Sequence, residues 1–162
     1  MSLGLYLHIP YCFSKCRYCD FYSHPGERGV PEAYVDALLR ELSRFAPEAP
    51  LQPDTLYFGG GTPSLLRPEQ AKRLIDAARP MPGAEITLEA NPETVTEESL
   101  AGFREAGVNR ISFGVQSARD TQLRTLGRPH TAKQARAAFA AARRAGFTNI
   151  SGDIMLALPH YT

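Results

Sequence analysis

The chain has 162 residues, a formal net charge of +1 and 43% hydrophobic residues. This is enough for one domain with a real core, and it excludes an intrinsically disordered chain and a strongly basic nucleic-acid-binding protein. No apolar run approaches the length of a membrane span, and the N-terminus lacks the features of a signal peptide. Three clustered cysteines without partners elsewhere argue against a disulfide framework, so we expect a cytoplasmic protein.

Strands and helices are predicted to alternate along the chain. Apolar, β-prone segments predict strands at about residues 3–9, 55–58, 85–89, 109–114 and 149–156. Apolar residues at helical spacing and helix-capping signals predict helices at about residues 31–45, 68–78, 96–107, 117–126 and 131–146. Three prolines predict a loop at residues 47–53. This alternation indicates βα units and a parallel sheet in one α/β domain.

All three cysteines lie in one loop after the first predicted strand, as Cys12, Cys16 and Cys19. The spacing C-x3-C-x2-C brings three soft thiolates together, and thiolates favour iron–sulfur clusters or zinc over hard cations. An iron–sulfur cube held by three cysteines keeps one iron free for a substrate. A zinc site with His24 as the fourth ligand is the alternative. Three unrelated buried cysteines would rarely fall so close together.

Glycines and polar residues mark the ends of the other predicted strands. The run Gly59-Gly60-Gly61 follows the second strand, and Glu89 ends the third. Gln116 follows the fourth strand, and Asp153 lies in the fifth. Because βα barrels and open α/β sheets carry their sites at the carboxyl ends of strands, we expect these residues to join the cysteines in one site.

Most of these residues also have a purely structural interpretation. The glycines could form a tight βα turn, and no phosphate-loop motif accompanies them. Glu89 and Gln116 could cap neighbouring helices, and Arg128 could be a solvated charge. Asp153 is different, because a carboxylate buried in an apolar strand needs a partner. A ligand with hydroxyls and an ammonium group would supply one.

Four stretches together resemble the radical S-adenosylmethionine (SAM) superfamily, and within it the group of oxygen-independent coproporphyrinogen III oxidases and heme chaperones (HemN/HemW). They are YLHIPYC at 6–12, FGGGTPS at 58–64, LEANP at 88–92 and SFGVQS at 112–117. The resemblance covers essentially the whole chain.

Two features favour the heme chaperone branch, HemW, over the oxidases. Phe21 stands where the oxidases carry a further cysteine, and the first strand begins almost at Met1, where the oxidases have an N-terminal extension. The resemblance therefore implies a HemW-like heme chaperone. The alternative is an oxidase that decarboxylates the propionates of coproporphyrinogen III.

The resemblance also implies the cofactors and their ligands. Cys12, Cys16 and Cys19 match the ligands of a [4Fe-4S] cluster, and Tyr6 and Tyr18 match aromatic positions beside the cluster and SAM. The other positions that match the SAM pocket are Gly60, Gly61, Thr62, Glu89, Gln116, Arg128 and Asp153. The implied reaction is reductive cleavage of SAM to a 5′-deoxyadenosyl radical, with the protein supplying position and exclusion of water.

The implied fold is a partial (β/α)6-type radical SAM barrel with parallel strands in sequential order, truncated after the fifth strand. Residues 1–162 would then be an incomplete core domain, an N-terminal fragment whose fifth strand is an unprotected edge. The implied partners are heme or a porphyrinogen in the complete protein, and an electron donor such as flavodoxin or ferredoxin. Neither nucleic acid nor a membrane span is expected. Where the family usually reads GLPGQT, this chain reads ALPHYT at 157–162.

Overall fold

The computed structural model describes residues 2–45 and 51–158. Its strands are β1 (Gly4–Ile9), β2 (Tyr11–Cys12), β3 (His24–Pro25), β4 (Thr55–Gly60), β5 (Glu85–Ala90), β6 (Arg110–Gln116) and β7 (Asn149–Ile154). Its helices are α1 (Glu32–Phe45), α2 (Pro68–Ala78), α3 (Glu97–Ala106), α4 (Asp120–Leu126) and α5 (Ala132–Arg144). Residues 46–50 and 159–162 lie outside the described residues. They include part of the predicted proline loop and most of the altered terminal loop.

Five of the strands form one parallel sheet in the order β1-β4-β5-β6-β7. Strands β2 and β3 pair separately beside the cysteine loop. The predicted sequential order of five parallel strands, typical of a partial barrel, is confirmed. No helix in the described ranges is long and apolar enough to cross a membrane.

The sheet has one apolar face and one polar face. Leu7, Phe58, Leu88 and Ile111 lie in register across four strands, and each is at most 4% exposed. They share a core with apolar side chains of the helices, such as Phe103 of α3. The opposite face carries the alternate residues of each strand, because successive side chains in a strand point to opposite sides. The helices therefore cover one face, and the polar face is left for the site.

Capping residues define the helix boundaries close to the predicted positions. Thr96 accepts a hydrogen bond from the backbone N–H of Ser99 at 3.1 Å at the start of α3. Thr131 does the same for the N–H of Gln134 at 3.2 Å at the start of α5. Helix α4, however, begins at Asp120 rather than at residue 117. The three residues before it form a turn after β6 instead.

Strand β7 lies at an edge of the sheet, and its exposure corrects one expectation. Asp153 is exposed rather than buried. The reason is that the described residues place a neighbouring strand, β6, on only one side of β7. Asp153 therefore needs no buried partner, although it lies towards the carboxyl end of the strand as predicted.

Candidate metal and cofactor site

The carboxyl ends of the sheet strands open into a cavity of about 160 Å³ that is partly open to solvent. All the predicted site residues except Tyr6 line it, namely Cys12, Cys16, Tyr18, Cys19, Gly60, Gly61, Thr62, Glu89, Gln116, Arg128 and Asp153. The fold thus brings together residues from the cysteine loop and from the ends of β4, β5, β6 and β7. This convergence follows from the parallel sheet, in which all carboxyl ends lie at one edge.

Tyr6 lies on the polar face of the sheet and does not belong to the cavity lining. Its ring stacks on Tyr57 with centroids 6.0 Å apart and an angle of 16°. Its hydroxyl is 3.2 Å from Nδ1 of His8. About 52% of Tyr6 is exposed. Tyr18, by contrast, lines the cavity, and burial of its hydroxyl is the main cause that raises its pKa to about 12.

The cysteine loop is held from both sides by backbone hydrogen bonds. The N–H of Arg17 donates to the Leu126 carbonyl at 3.0 Å, at the end of α4. The N–H of Glu27 donates to the Cys12 carbonyl at 3.1 Å. The three thiols are free, with Cys12 buried and the other two half-buried. All three cysteines line the cavity, although among the described residues no three His, Cys, Asp or Glu side chains are arranged as a ready-made site for a single metal ion.

His24 lies in β3, where it pairs with Tyr11 of β2. Its ring packs against Tyr11 and Tyr22, with centroid separations of 6.1 and 5.3 Å. His24 does not appear in the cavity lining formed by the described residues. The arrangement therefore gives no support to zinc bound by three cysteines and His24.

The glycine run allows the end of β4 to approach the cysteine loop. A Cβ atom on Gly61 would lie 2.7 Å from the Tyr11 carbonyl oxygen and 3.0 Å from Cys12 Sγ. Only a residue without a side chain fits this contact, because the nearest atom belongs to backbone. The requirement for glycine at this position thus comes from packing against the loop that carries the metal-ligand candidates.

Glycine is required at position 60 for a different reason, which is its backbone conformation and its contact with the neighbouring strand. Its φ of +117° lies in the region that favours glycine, and an added Cβ would lie 2.6 Å from the His8 ring. A larger residue at Gly60 would therefore clash first with His8 of the neighbouring strand. Gly60 still lines the cavity through its backbone.

Glu89 joins β5 to β4 at the edge of the cavity. Its carboxylate accepts a hydrogen bond from the Tyr57 hydroxyl at 2.8 Å and another from the Gly60 N–H at 3.2 Å. Burial, followed by the hydrogen bond to Glu89, raises the pKa of Tyr57, so its hydroxyl stays protonated and donates. Each carboxylate oxygen has a second lone pair, so Glu89 can still accept bonds from a ligand.

Arg128 is the polar centre of the site and is 8% exposed. One terminal nitrogen, Nη2, donates to Asn91 Oδ1 at 2.6 Å and to the Gly114 carbonyl, while Nη1 donates to Cys16 Sγ at 3.4 Å. Its Nε is buried and has no hydrogen-bond partner among the residues that the structure describes. An orphaned buried donor on a cation indicates that the site is completed by an acceptor from a ligand.

Two residues that orient the polar side chains of the site were not predicted from the sequence. Asn91 accepts from Arg128 and donates through Nδ2 to Thr62 Oγ1 at 3.1 Å, and Thr62 in turn donates to Cys12 Sγ at 3.6 Å. Tyr57 orients Glu89. Asn91 had a usable signal, since it directly follows the end of β5. Tyr57 had none, because it sits three residues before the end of its strand.

The residues present fit a thiolate-bound cluster together with a zwitterionic ligand. The three thiols could bind the cluster, and Gly61 lets β4 pack closely against the loop that carries them. The unused Nε of Arg128 suits an anionic group, and the carboxylates of Glu89 and Asp153 suit ammonium and hydroxyl donors. The cavity thus combines a hydrogen-bond donor for an anionic group with acceptors for cationic and hydroxyl groups in one lining.

Comparison with known proteins agrees with this chemistry. The family model for the radical SAM superfamily matches residues 6–162. The heme chaperone HemW of Escherichia coli is 43% identical over 97% of this chain and 43% of its own length. HemW of Bacillus subtilis is 41% identical with the same coverage. The chain therefore spans less than half the length of these curated relatives.

Solved structures of radical SAM proteins also resemble this chain. The coproporphyrinogen III oxidase HemN of Escherichia coli, a radical SAM enzyme, superposes with a TM-score of 0.88 at 32% identity, over 99% of this chain and 38% of that one. The hydrogenase maturase HydG superposes with a TM-score of 0.67 at 14% identity, over 96% of this chain and 35% of that one, which shows the fold alone. From the family match, the sheet and the cysteine loop together, this chain belongs to the radical SAM superfamily.

Proposed function

We propose that this chain is the cluster- and SAM-binding core of a heme chaperone similar to HemW. The observation that carries the proposal is the single cavity in which the three cysteines meet the glycine loop and the polar strand ends. A sequence identity of about 40% to several HemW proteins supports the choice of the heme chaperone branch over the oxidases. Phe21, in place of the oxidases' further cysteine, points the same way.

Cys12, Cys16 and Cys19 would hold the [4Fe-4S] cluster through their thiolates. When bound, such a cluster supplies the electron for reductive cleavage of SAM. The chain's own residues contribute a buried cation beside Cys16, in Arg128, and a carboxylate oriented by Tyr57, in Glu89. Both groups are already fixed by hydrogen bonds, so a ligand would bind to a preorganised wall.

The residues that would hold SAM lie on different strand ends. Gly60, Gly61 and Thr62 would present backbone and hydroxyl groups, and Glu89 and Asp153 would accept hydrogen bonds from ammonium and hydroxyl groups. Gln116 and Arg128 would donate to acceptors, while Tyr18 and, from outside the lining, Tyr6 would contribute aromatic contacts. Heme or a porphyrinogen and an electron donor such as flavodoxin or ferredoxin complete the proposed partners.

Cluster binding is tested by anaerobic reconstitution of the protein with iron and sulfide. We expect a visible iron–sulfur absorption with about four irons per chain. Replacing Cys12, Cys16 or Cys19 singly by Ala should abolish it, whereas His24→Ala should leave the iron content unchanged. Full clusters in all three cysteine variants would refute the assignment, and strict dependence on His24 would instead favour zinc.

A porphyrinogen oxidase is the second candidate, favoured by the superposition on HemN at a TM-score of 0.88. Two assays on the intact reconstituted protein separate the candidates. A heme chaperone should bind hemin stoichiometrically and should not decarboxylate coproporphyrinogen III in the presence of SAM and a reductant. Turnover of coproporphyrinogen III would replace the chaperone proposal by the oxidase.

A further inference from the structure

A buried histidine lies behind the cavity, in the connection between α4 and α5. His130 is 2% exposed. Its Nδ1 is 3.1 Å from Glu93 Oε2, and its Nε2 is 3.1 Å from the carbonyl oxygen of Val115. The site described above does not use His130 or Glu93, although each lies two residues from a residue that lines the cavity.

The partners of His130 determine where its protons are. A backbone carbonyl can only accept, so Nε2 of His130 donates to Val115. On the other side, Nδ1 faces the Glu93 carboxyl group at 3.1 Å. His130 is buried and the Glu93 side chain is only 14% exposed, so both contacts of the histidine ring are largely shielded from water.

The Val115 carbonyl closes a strained turn at the end of β6. It also accepts the N–H of Ser117 at 2.8 Å, two residues along the chain. Gln116, between them, has a φ of +65°, which a residue with a side chain rarely adopts. A turn with an i to i+2 hydrogen bond and a positive φ at its central residue is rare and strained, so it persists only where the surroundings hold it. Gln116, the central residue of this turn, lines the cavity.

We propose that His130, together with Glu93, is a positioning residue that holds the left-handed turn at Gln116. Glu93 lies two residues after Asn91, and His130 lies two residues after Arg128. The pair therefore links three segments by hydrogen bonds. Each segment contributes one polar side chain to the cavity lining, namely Asn91, Gln116 and Arg128. Its effect on SAM binding rests on the proposed function, whereas its effect on the turn does not.

The turn is tested by hydrogen–deuterium exchange on the intact protein with two near-isosteric variants. In His130→Gln the side-chain amide can reach the position of Nε2 and still donate to Val115. In His130→Asn the amide reaches only the position of Nδ1. We expect the Ser117 amide and the segment 114–119 to exchange faster in the Asn variant and to stay protected in the Gln variant. Equal exchange in the wild type and both variants would overturn the proposal.

Gln70 provides a matched control for general loss of stability. It is 1% exposed and donates to the Val30 carbonyl at 3.0 Å and to Glu32 Oε1 at 2.7 Å, the same pair of partner types. Gln70→Leu should lower the melting temperature without faster exchange at 114–119. If this variant loosens that segment as much as His130→Asn does, the effect is general destabilisation and the proposal is wrong.

SAM affinity of the cluster-loaded protein, measured by calorimetry, tests the consequence for the site. His130→Asn should bind SAM roughly tenfold more weakly. In a Gln116→Gly background the same substitution should have little further effect, because glycine adopts positive φ without support. Additive losses would contradict coupling through the turn. Absence of SAM binding by the wild type would refute the proposed function, and the exchange experiment would still decide the role of His130.

Discussion

At the scale of single residues, Arg128 joins three segments of the site through one planar group, namely the cysteine loop, the residue after β5 and strand β6. It reaches a thiol, a side-chain amide and a backbone carbonyl that belong to Cys16, Asn91 and Gly114. A guanidinium can do this because its donors are spread over a rigid fork, whereas an ammonium is a point charge. The charge of Arg128 therefore matters less than its shape.

Replacing Arg128 by Lys tests this conclusion. The charge is kept but at least one buried acceptor loses its donor, so we expect the free energy of unfolding to fall by about 1–3 kcal/mol. We also expect weaker SAM binding by the cluster-loaded protein. Chemical denaturation and calorimetry measure the two effects. The exposed Arg124→Lys change in α4 is the control and should alter neither quantity.

Gly61 gives a second prediction for a single residue. In Gly61→Ala the new methyl group would lie 2.7 Å from the Tyr11 carbonyl oxygen, so the cysteine loop must move away from β4. We expect a lower iron content after reconstitution, measured by iron analysis and visible absorption. Gly29→Ala is the control, because its Cβ would meet only the Leu65 carbonyl oxygen, at an ordinary 3.9 Å. Normal cluster loading in Gly61→Ala would show that the loop tolerates the shift.

At the scale of elements, β7 is an exposed edge of the sheet. Ile154 at its end is 63% exposed, and Leu156 just beyond it is 85% exposed. An edge strand presents a row of backbone groups that can pair with another chain, and apolar side chains strengthen such pairing. We therefore expect this chain of 162 residues to associate with itself.

Sedimentation velocity of this chain should show association that increases with concentration. Ile154→Lys should reduce it, because a charge on an edge strand opposes pairing. Thr148→Lys, exposed and outside the strand, is the matched control for added charge and should change the association less. A monomer at all concentrations would contradict the role that we give to the edge.

At the scale of the whole molecule, the cavity joins the cysteine loop to four strand ends, so a ligand there contacts segments from residue 12 to residue 153. A ligand that binds only the folded state stabilises it by mass action. With SAM at about 100 times its dissociation constant, the gain is about 2.7 kcal/mol. The stabilisation should therefore appear in global unfolding and not only near the cavity.

Thermal unfolding of the cluster-loaded protein measures this gain. We expect SAM to raise the melting temperature by roughly 5–10 °C. Cys12→Ala should remove most of the increase, because the proposed cluster provides part of the SAM site. An equal increase in the cysteine variant would mean that SAM binds without the cluster.

Much of the fold was predictable because its signals are local. The five sheet strands were predicted to within two residues at each boundary, since apolar runs, prolines and glycines mark their ends. Thr96 and Thr131 marked two helix starts through capping, which depends on neighbours three residues away. Helix α4 was placed three residues too early, because the strained turn at Gln116 leaves no comparable signal.

The sequence by itself determined the clustering of the three cysteines, the alternation of strands and helices, and the parallel sheet whose strand ends bring the polar residues together. These follow from spacing along the chain and from the geometry of βα units. Only the tertiary structure decided the parts that depend on contacts between distant residues. They are the exposure of Asp153 on an edge strand, the place of Tyr6 outside the lining, the links of Asn91 and Arg128, and the support of Gln116 by His130. Such contacts depend on strand register and side-chain packing, which no local pattern encodes.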